Sequence, residues 1–185
     1  AGSGAAVEVP GVTQAEYDQI VDITNTVYGF NSGERFDELK EKDEKILGKL
    51  DWNINESQRA SLSYQHTEGN EIITTNNSTT SRFLSTPSNW YKRAIKMDAM
   101  ALQLFSDWNP WFATEFKLAR KEVEVHQDSL FGTDFAEMQV TTPSGGTVFV
   151  GPDEFRHANY LTNDLDAIKL KGSFFLGDHT IMVGY

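Results

Sequence analysis

From Ile46 onward the chain alternates apolar and polar residues in runs that pair across very short turns. Ile46, Gly48, Leu50 and Trp52 fall on one side of a period-2 pattern, with Lys45, Lys49 and Asp51 on the other and Leu47 as the exception. After Asn53–Ser57 the pattern resumes, with Ala60, Leu62 and Tyr64 opposite Ser61, Ser63 and Gln65. Met100, Leu102, Leu104 and Trp108 form a third apolar row, opposite Gln103 and Asp107 with Phe105 among them. Across Asn109–Trp111, Phe116 and Leu118 oppose Glu115, Lys117 and Lys121. Ile168, Leu170, Gly172 and Phe174 then oppose Lys169, Lys171 and Ser173, and beyond Leu176–His179 come Ile181, Val183 and Tyr185. Strict alternation puts one apolar and one polar face on each strand. The pattern predicts six strands in three hairpins, at about 44–54, 59–73, 90–108, 112–127, 163–175 and 179–185. Val123 and Val125 break the phase of the fourth strand, where a bulge or an extension beyond a membrane is expected.

The connections between hairpins are long and polar. Residues 69–89 include the Thr/Asn/Ser-rich run Thr74–Thr80, expected to be mobile. Residues 128–162 contain a small hairpin at about 138–150, turned at Ser144–Gly146. Before the strands, Thr13-Gln14-Ala15-Glu16 fits a capping box, and Tyr17, Ile20, Val21 and Thr24 follow at helical spacing. This predicts one short amphipathic helix, about Thr13 to Tyr28.

Composition leaves the solvent of the apolar faces open. Of 185 residues, 39% are hydrophobic, which suits a small soluble core or a membrane barrel whose strands are half polar. The formal net charge of -11 argues against a nucleic-acid surface, which needs clustered Lys and Arg. With no cysteine, disulfides and thiolate metal sites are excluded. No stretch approaches a membrane helix in length. The chain opens on Ala1 and stops at Tyr185 inside a strand-like run, as an internal fragment would.

Two features favour a membrane. The third and fourth strands are far longer than the usual five or six residues. Aromatics collect at the short-turn ends (Trp52, Phe105, Trp108, Trp111, Phe112, Phe174 and Phe175), with Trp90 and Tyr91 at the far end, as two interfacial bands around an aliphatic belt. Six strands are too few to close a membrane barrel, since about eight are needed, so a barrel reading makes this chain a sector of a larger one.

The segments Glu44–Gly69 (EKILGKLDWNINESQRASLSYQHTEG), Ala101–Glu124 (ALQLFSDWNPWFATEFKLARKEVE) and Asp166–Tyr185 (DAIKLKGSFFLGDHTIMVGY) resemble barrel hairpins of TonB-dependent outer-membrane receptors, nearest the Oar-like subgroup. The resemblance implies an all-β, antiparallel up-and-down meander. It would be a sector of a 22-stranded transmembrane barrel in the outer membrane of a Gram-negative bacterium. Residues 1–43 would form an extracellular loop with one short helix, and residues 44–185 part of the barrel. The family imports a scarce nutrient, energised through TonB, so the implied partners are outer-membrane lipid, a siderophore, glycan or peptide ligand, and TonB. TonB contact would run through an N-terminal part that this chain lacks, together with the plug.

Candidate chemistry is sparse. His66, His126, His157 and His179 lack metal-ligand spacing, and no nucleophile elbow or phosphate loop occurs. No enzyme activity, cofactor or metal site is expected. Asp153, Phe155, Arg156, His157, Asn159 and Tyr160 combine charge, hydrogen-bonding groups and aromatic rings ahead of a strand, and with Arg82 and Trp90 near the other loop they are the candidate ligand contacts. Folding of the loop over a rim through Phe155 and Tyr160 is the competing role. The alternative to a transporter is a soluble antiparallel β binding or adhesin module. In that case Leu50, Leu62, Leu102, Leu118 and Leu170 would be buried against one another. A complete lipocalin-type barrel, reaching eight strands with the 138–150 hairpin, is a third possibility.

Overall fold

The computed structural model describes residues 8–34, 38–156 and 158–185. These form one helix, α1 (Gln14–Thr26), and nine strands: β1 (Lys42–Asn55), β2 (Gln58–Ile73), β3 (Phe83–Ser85), β4 (Tyr91–Asn109), β5 (Phe112–Ser129), β6 (Met138–Thr141), β7 (Thr147–Val150), β8 (Ala158–Leu176) and β9 (His179–Gly184). The six long strands make one antiparallel sheet whose spatial order, β1-β2-β4-β5-β8-β9, is their order in the chain. It is therefore an up-and-down meander with β1 and β9 at its edges.

Three two-residue turns join its hairpins, and their residues explain them. In two, the last strand residue is an asparagine whose side-chain oxygen accepts a backbone N–H two residues on. Asn55 Oδ1 accepts from Ser57 N at 2.9 Å, and Asn109 Oδ1 accepts from Trp111 N at 3.0 Å. Such Asx turns reverse the chain without a residue of positive φ. The third uses Gly177 at φ 64° ahead of Asp178, a conformation glycine adopts without steric cost. The register that follows pairs Leu176 with His179, Phe174 with Ile181 and Gly172 with Val183.

The chain divides into two compact units. One gathers residues 1–42, 70–94 and 125–160, and the other residues 43–69, 95–124 and 161–185. The segments read as separate loops thus belong to a single folded unit with its own core. Val12, Tyr17, Val148 and Val150 are buried there, with Ile20, Val21, Phe30, Leu84 and Met138 packed around them. The α1 N-terminus carries the complete capping box: Thr13 Oγ1 accepts from Glu16 N at 3.3 Å, and Thr13 N donates to Glu16 Oε2 at 2.8 Å.

Beside the helix lies a three-stranded sheet ordered β3-β7-β6. The β6–β7 hairpin matches the pattern-based expectation. β3 does not: it pairs parallel to β7, Leu84 opposite Val148, in a stretch expected to be mobile loop. The run Thr74–Thr80 is held by side chains rather than loose. Asn77 Nδ2 donates to the Thr75 carbonyl and Ser85 Oγ, Asn77 Oδ1 accepts from Ser85 N, and Thr75 Oγ1 donates to the Asn89 carbonyl at 2.8 Å. Asn89, fully buried on the 3₁₀ turn Pro87–Asn89, is the centre of this network. Its Oδ1 accepts from Asn76 Nδ2 and Thr75 Oγ1, and its Nδ2 donates to Glu137 Oε2 and the Gly151 carbonyl.

β8 begins at Ala158, five residues before the pattern placed it. Its first residues, Ala158-Asn159-Tyr160-Leu161-Thr162-Asn163, show no apolar alternation to read. β5 runs unbroken to Ser129 through Val123 and Val125.

Candidate functional site

The face of the long sheet formed by even-numbered residues of β1, β2, β4, β5 and β8 and odd-numbered residues of β9 is one surface. Cross-strand contacts fix this: Trp108 Nε1 donates to Thr114 Oγ1 at 2.9 Å, the Phe112 and Phe174 rings stack at 4.8 Å, and Phe174 pairs with Ile181. Its aliphatic residues are exposed. Leu50 is 65%, Leu62 43%, Leu102 43%, Leu118 39% and Leu170 53% exposed. Met100, Ile168, Ile181 and Val183 are exposed with them. These leucines are not packed against one another as a sandwich core requires, and contiguous apolar exposure on this scale marks an interaction or membrane surface.

The apolar area is a belt with two different borders. Toward the two-residue turns it ends on aromatics: Trp52, Trp108, Phe112 and Phe174. Phe105 and Phe175, grouped with these by the sequence, have the opposite parity. Phe105 lies under the Arg59 guanidinium, 4.7 Å from the ring centre, so they belong to the other face. At the far ends of the strands the belt stops at charge. The Tyr64 hydroxyl donates to Asp98 Oδ1 at 2.7 Å, His66 Nδ1 lies 2.8 Å from the same oxygen, and Lys96 Nζ is 3.9 Å from the other. One strand pair along, Arg120 bonds Glu122 and approaches Asp166 at 3.7 Å. Trp90 and Tyr91 do not form the expected second aromatic band. Tyr91 is buried and Trp90 Nε1 donates to Ser85 Oγ at 2.7 Å, so both serve the other unit.

The opposite face is the more polar of the two, and several of its charges are paired. Glu115, largely sheltered, accepts from Lys171 Nζ at 2.7 Å and Lys169 Nζ at 3.1 Å, and Lys49 pairs with Asp51 at 2.8 Å. Ser61, Ser63, Gln65, Gln103 and Lys117 share it with Phe105 and with the exposed Leu47, Leu161, Leu165, Phe175 and Met182.

The candidate ligand residues fall into separate roles. Asp153 is buried, and its Oδ1 accepts from Phe155 N at 3.0 Å and Arg156 N at 2.9 Å while the Arg156 guanidinium pairs with its Oδ2 at 3.3 Å. That carboxylate shapes the turn. Phe155 is exposed beside it. Asn159 and Tyr160 were expected in a loop but lie in β8: Asn159 Nδ2 donates to Gln127 Oε1 at 2.9 Å, and the Tyr160 ring sits 4.3 Å from that of His126. The Arg82 backbone is left-handed at φ 57°, and its carbonyl accepts from Thr147 N. His157 lies outside the described residues. Among the described residues no group of His and carboxylates is arranged to hold a metal.

A further cavity, which sequence reasoning passed over, opens within the first unit. It has a volume of about 570 Å³ and is lined by Gln14, Tyr17, Asp18, Val21, Asn25, Asn31, Gly33 and Glu34. The helical spacing of its polar residues was legible, but the loop that forms its second wall was not.

No helix of the described residues is long and apolar enough to cross a membrane, which leaves crossing by strands untouched. No protein-family model, curated protein or solved structure matches the chain.

Proposed function

We propose that this chain is a sector of the β-barrel wall of a TonB-dependent receptor in a Gram-negative outer membrane. Its task would be to bind and import a scarce nutrient (a siderophore, glycan or peptide), energised through TonB. The observation that carries the membrane part is the exposed aliphatic belt. From Trp108 to Asp98 there are ten residue steps of β4. At about 3.3 Å each and a tilt of about 40°, they cover about 25 Å along a membrane normal, the height of the apolar band on outer-membrane barrels. The aromatic border at the two-residue turns supports one interfacial girdle; the far border is charged and supplies no second one. The polar face, with Glu115 held between two lysines, would line the interior. The transporter part rests on the resemblance of the three hairpin segments. A soluble binding module lacks support from the leucines, whose exposure would have to be covered by something else.

The chain contains no cysteine, which makes a labelling test clean. Single cysteines at Leu50, Leu102 and Leu170, and at neighbouring Lys49, Gln103 and Lys171, would carry an environment-sensitive fluorophore in the protein in its own membrane. The first set is expected to be quenched by lipid-borne quenchers and the second by aqueous iodide. Equal aqueous quenching of both sets would overturn the membrane reading.

A further inference from the structure

A groove of about 290 Å³ lies on the more polar face of the long sheet. Every residue lining it belongs to the second unit, all of whose residues are described. Ala99, Ala101, Ala119 and Ala167 form its floor. Alanine stops at Cβ, so the longer side chains around these four rise above them. Leu47 on β1 and Leu165 on β8 flank the floor across the strands. Along β5, Lys117, Ala119 and Lys121 alternate with outward residues. Both lysines therefore lie on this face, with about 13 Å between their Cα atoms.

The charge state of these two lysines sets the groove apart. Elsewhere on the face Lys45 pairs with Asp43, Lys49 pairs with Asp51, and Lys169 and Lys171 share Glu115. Lys117 and Lys121 have no carboxylate partner among the described residues, and no carboxylate of the described residues lines the groove. Arg120 also borders it, but its guanidinium bonds Glu122 and approaches Asp166 on the other face.

Two unpaired cations with an apolar floor between them define the ligand. A phosphate ion satisfies one end and leaves the alanines and leucines against water. A neutral polyol leaves both ammonium groups without an anion. An aliphatic chain with a carboxylate at each end matches all three parts. Its ends accept charge-assisted hydrogen bonds, and its methylenes cover the alanine floor. Suberate spans about 9 Å between its carboxyl carbons, and the flexible lysine stems lean inward to close the remaining gap. We propose that this groove binds a short aliphatic dicarboxylate. The binding needs only the geometry of this face; import of such a ligand would rest on the function proposed above.

The test is calorimetric titration of the protein carrying this chain, purified in non-ionic detergent, with suberate, octanoate and 1,8-octanediol. Suberate is expected to bind about tenfold more tightly than octanoate, the gain from a second charge-assisted contact, and the diol more weakly than either. Lys117→Gln and Lys121→Gln keep a polar side chain and remove the charge. Each should weaken suberate about tenfold and bring it close to octanoate. Ala119→Leu, which raises the floor, should weaken suberate with both lysines in place. Lys92→Gln, on β4 in the other unit, should leave binding unchanged. Failure of suberate to bind, equal binding of octanoate or the diol, or suberate binding indifferent to both lysine variants would overturn the proposal. Cysteine labelling of the belt reads the membrane proposal independently of any of these outcomes.

Discussion

Arg120 on β5 approaches Asp166 on β8 at 3.7 Å, on the same face and two positions beyond Leu118 and Ile168. Within two residues on each strand the surface changes from aliphatic to ionic. The Tyr64–Asp98 hydrogen bond makes the same change two positions beyond Leu62 and Met100. The belt therefore has an edge set by side-chain chemistry on at least four strands.

A charge placed inside that belt should be costly where the same charge one residue away is not. Leu102→Arg points from the apolar face near mid-belt, and Gln103→Arg from the polar face. In a bilayer-inserted protein, denaturant unfolding is expected to show a loss of about 2–4 kcal/mol for the first and little change for the second. Equal effects would mean that the two faces share one solvent.

Removing the Asn89 side chain should loosen the loop unit and spare the sheet. Asn89→Ala strips partners from Thr75, Asn76 and Glu137 and from the buried Gly151 carbonyl. Leaving buried polar groups unpaired costs on the order of 1–3 kcal/mol. Hydrogen exchange is expected to speed up in residues 74–89 and at Gly151 while Leu102 and Leu118 keep their protection.

Two glycines with positive φ should respond differently to alanine. At Gly151, φ 88°, a Cβ would run into the Ala136 carbonyl, whereas at Gly29, φ 64°, it would meet open space. Gly29→Ala is expected to cost only the left-handed backbone term, about 1–2 kcal/mol, and Gly151→Ala clearly more. Thermal unfolding of the two variants side by side gives the comparison.

Acid should weaken the helix cap. The Thr13 backbone N–H and hydroxyl, aided by Ser144, hold the Glu16 carboxyl down at about 2 from an ordinary 4.5. A depressed folded-state pKa adds stability that is complete above the unfolded value and lost as pH falls through the folded one. The stability difference between the wild type and Glu16→Gln should therefore be constant above about pH 5 and shrink between about 4.5 and 2. An unchanging difference across that window would show that Glu16 stays ionised no more readily folded than unfolded.

Local rules made much of the fold legible. Alternation at Ile46–Trp52 or Ile168–Phe174 needs only neighbouring residues to be read, and Thr13 with Glu16 announces a helix start within four positions. The loop unit was hidden for the opposite reason. Phe83–Ser85 finds its partner at Thr147–Phe149, more than sixty residues away, and Asn89 bonds Glu137 across 48 residues. Ser, Thr and Asn carry no periodicity that foretells such partners. The role of Asp153 was not legible because a carboxylate beside Arg, His and aromatics reads the same whether it meets a ligand or closes its own turn.

The chain by itself determined the six strands of the meander, where their hairpins turn and which side chains share a face, because these follow from a two-residue period and local turn chemistry. Only the tertiary structure decided where the apolar face points and what the long connections become. Alternation is identical in a buried sandwich and an exposed belt, and the difference lies in what covers Leu50, Leu102 and Leu170. A polar segment becomes a folded wall only when distant partners satisfy its hydrogen bonds.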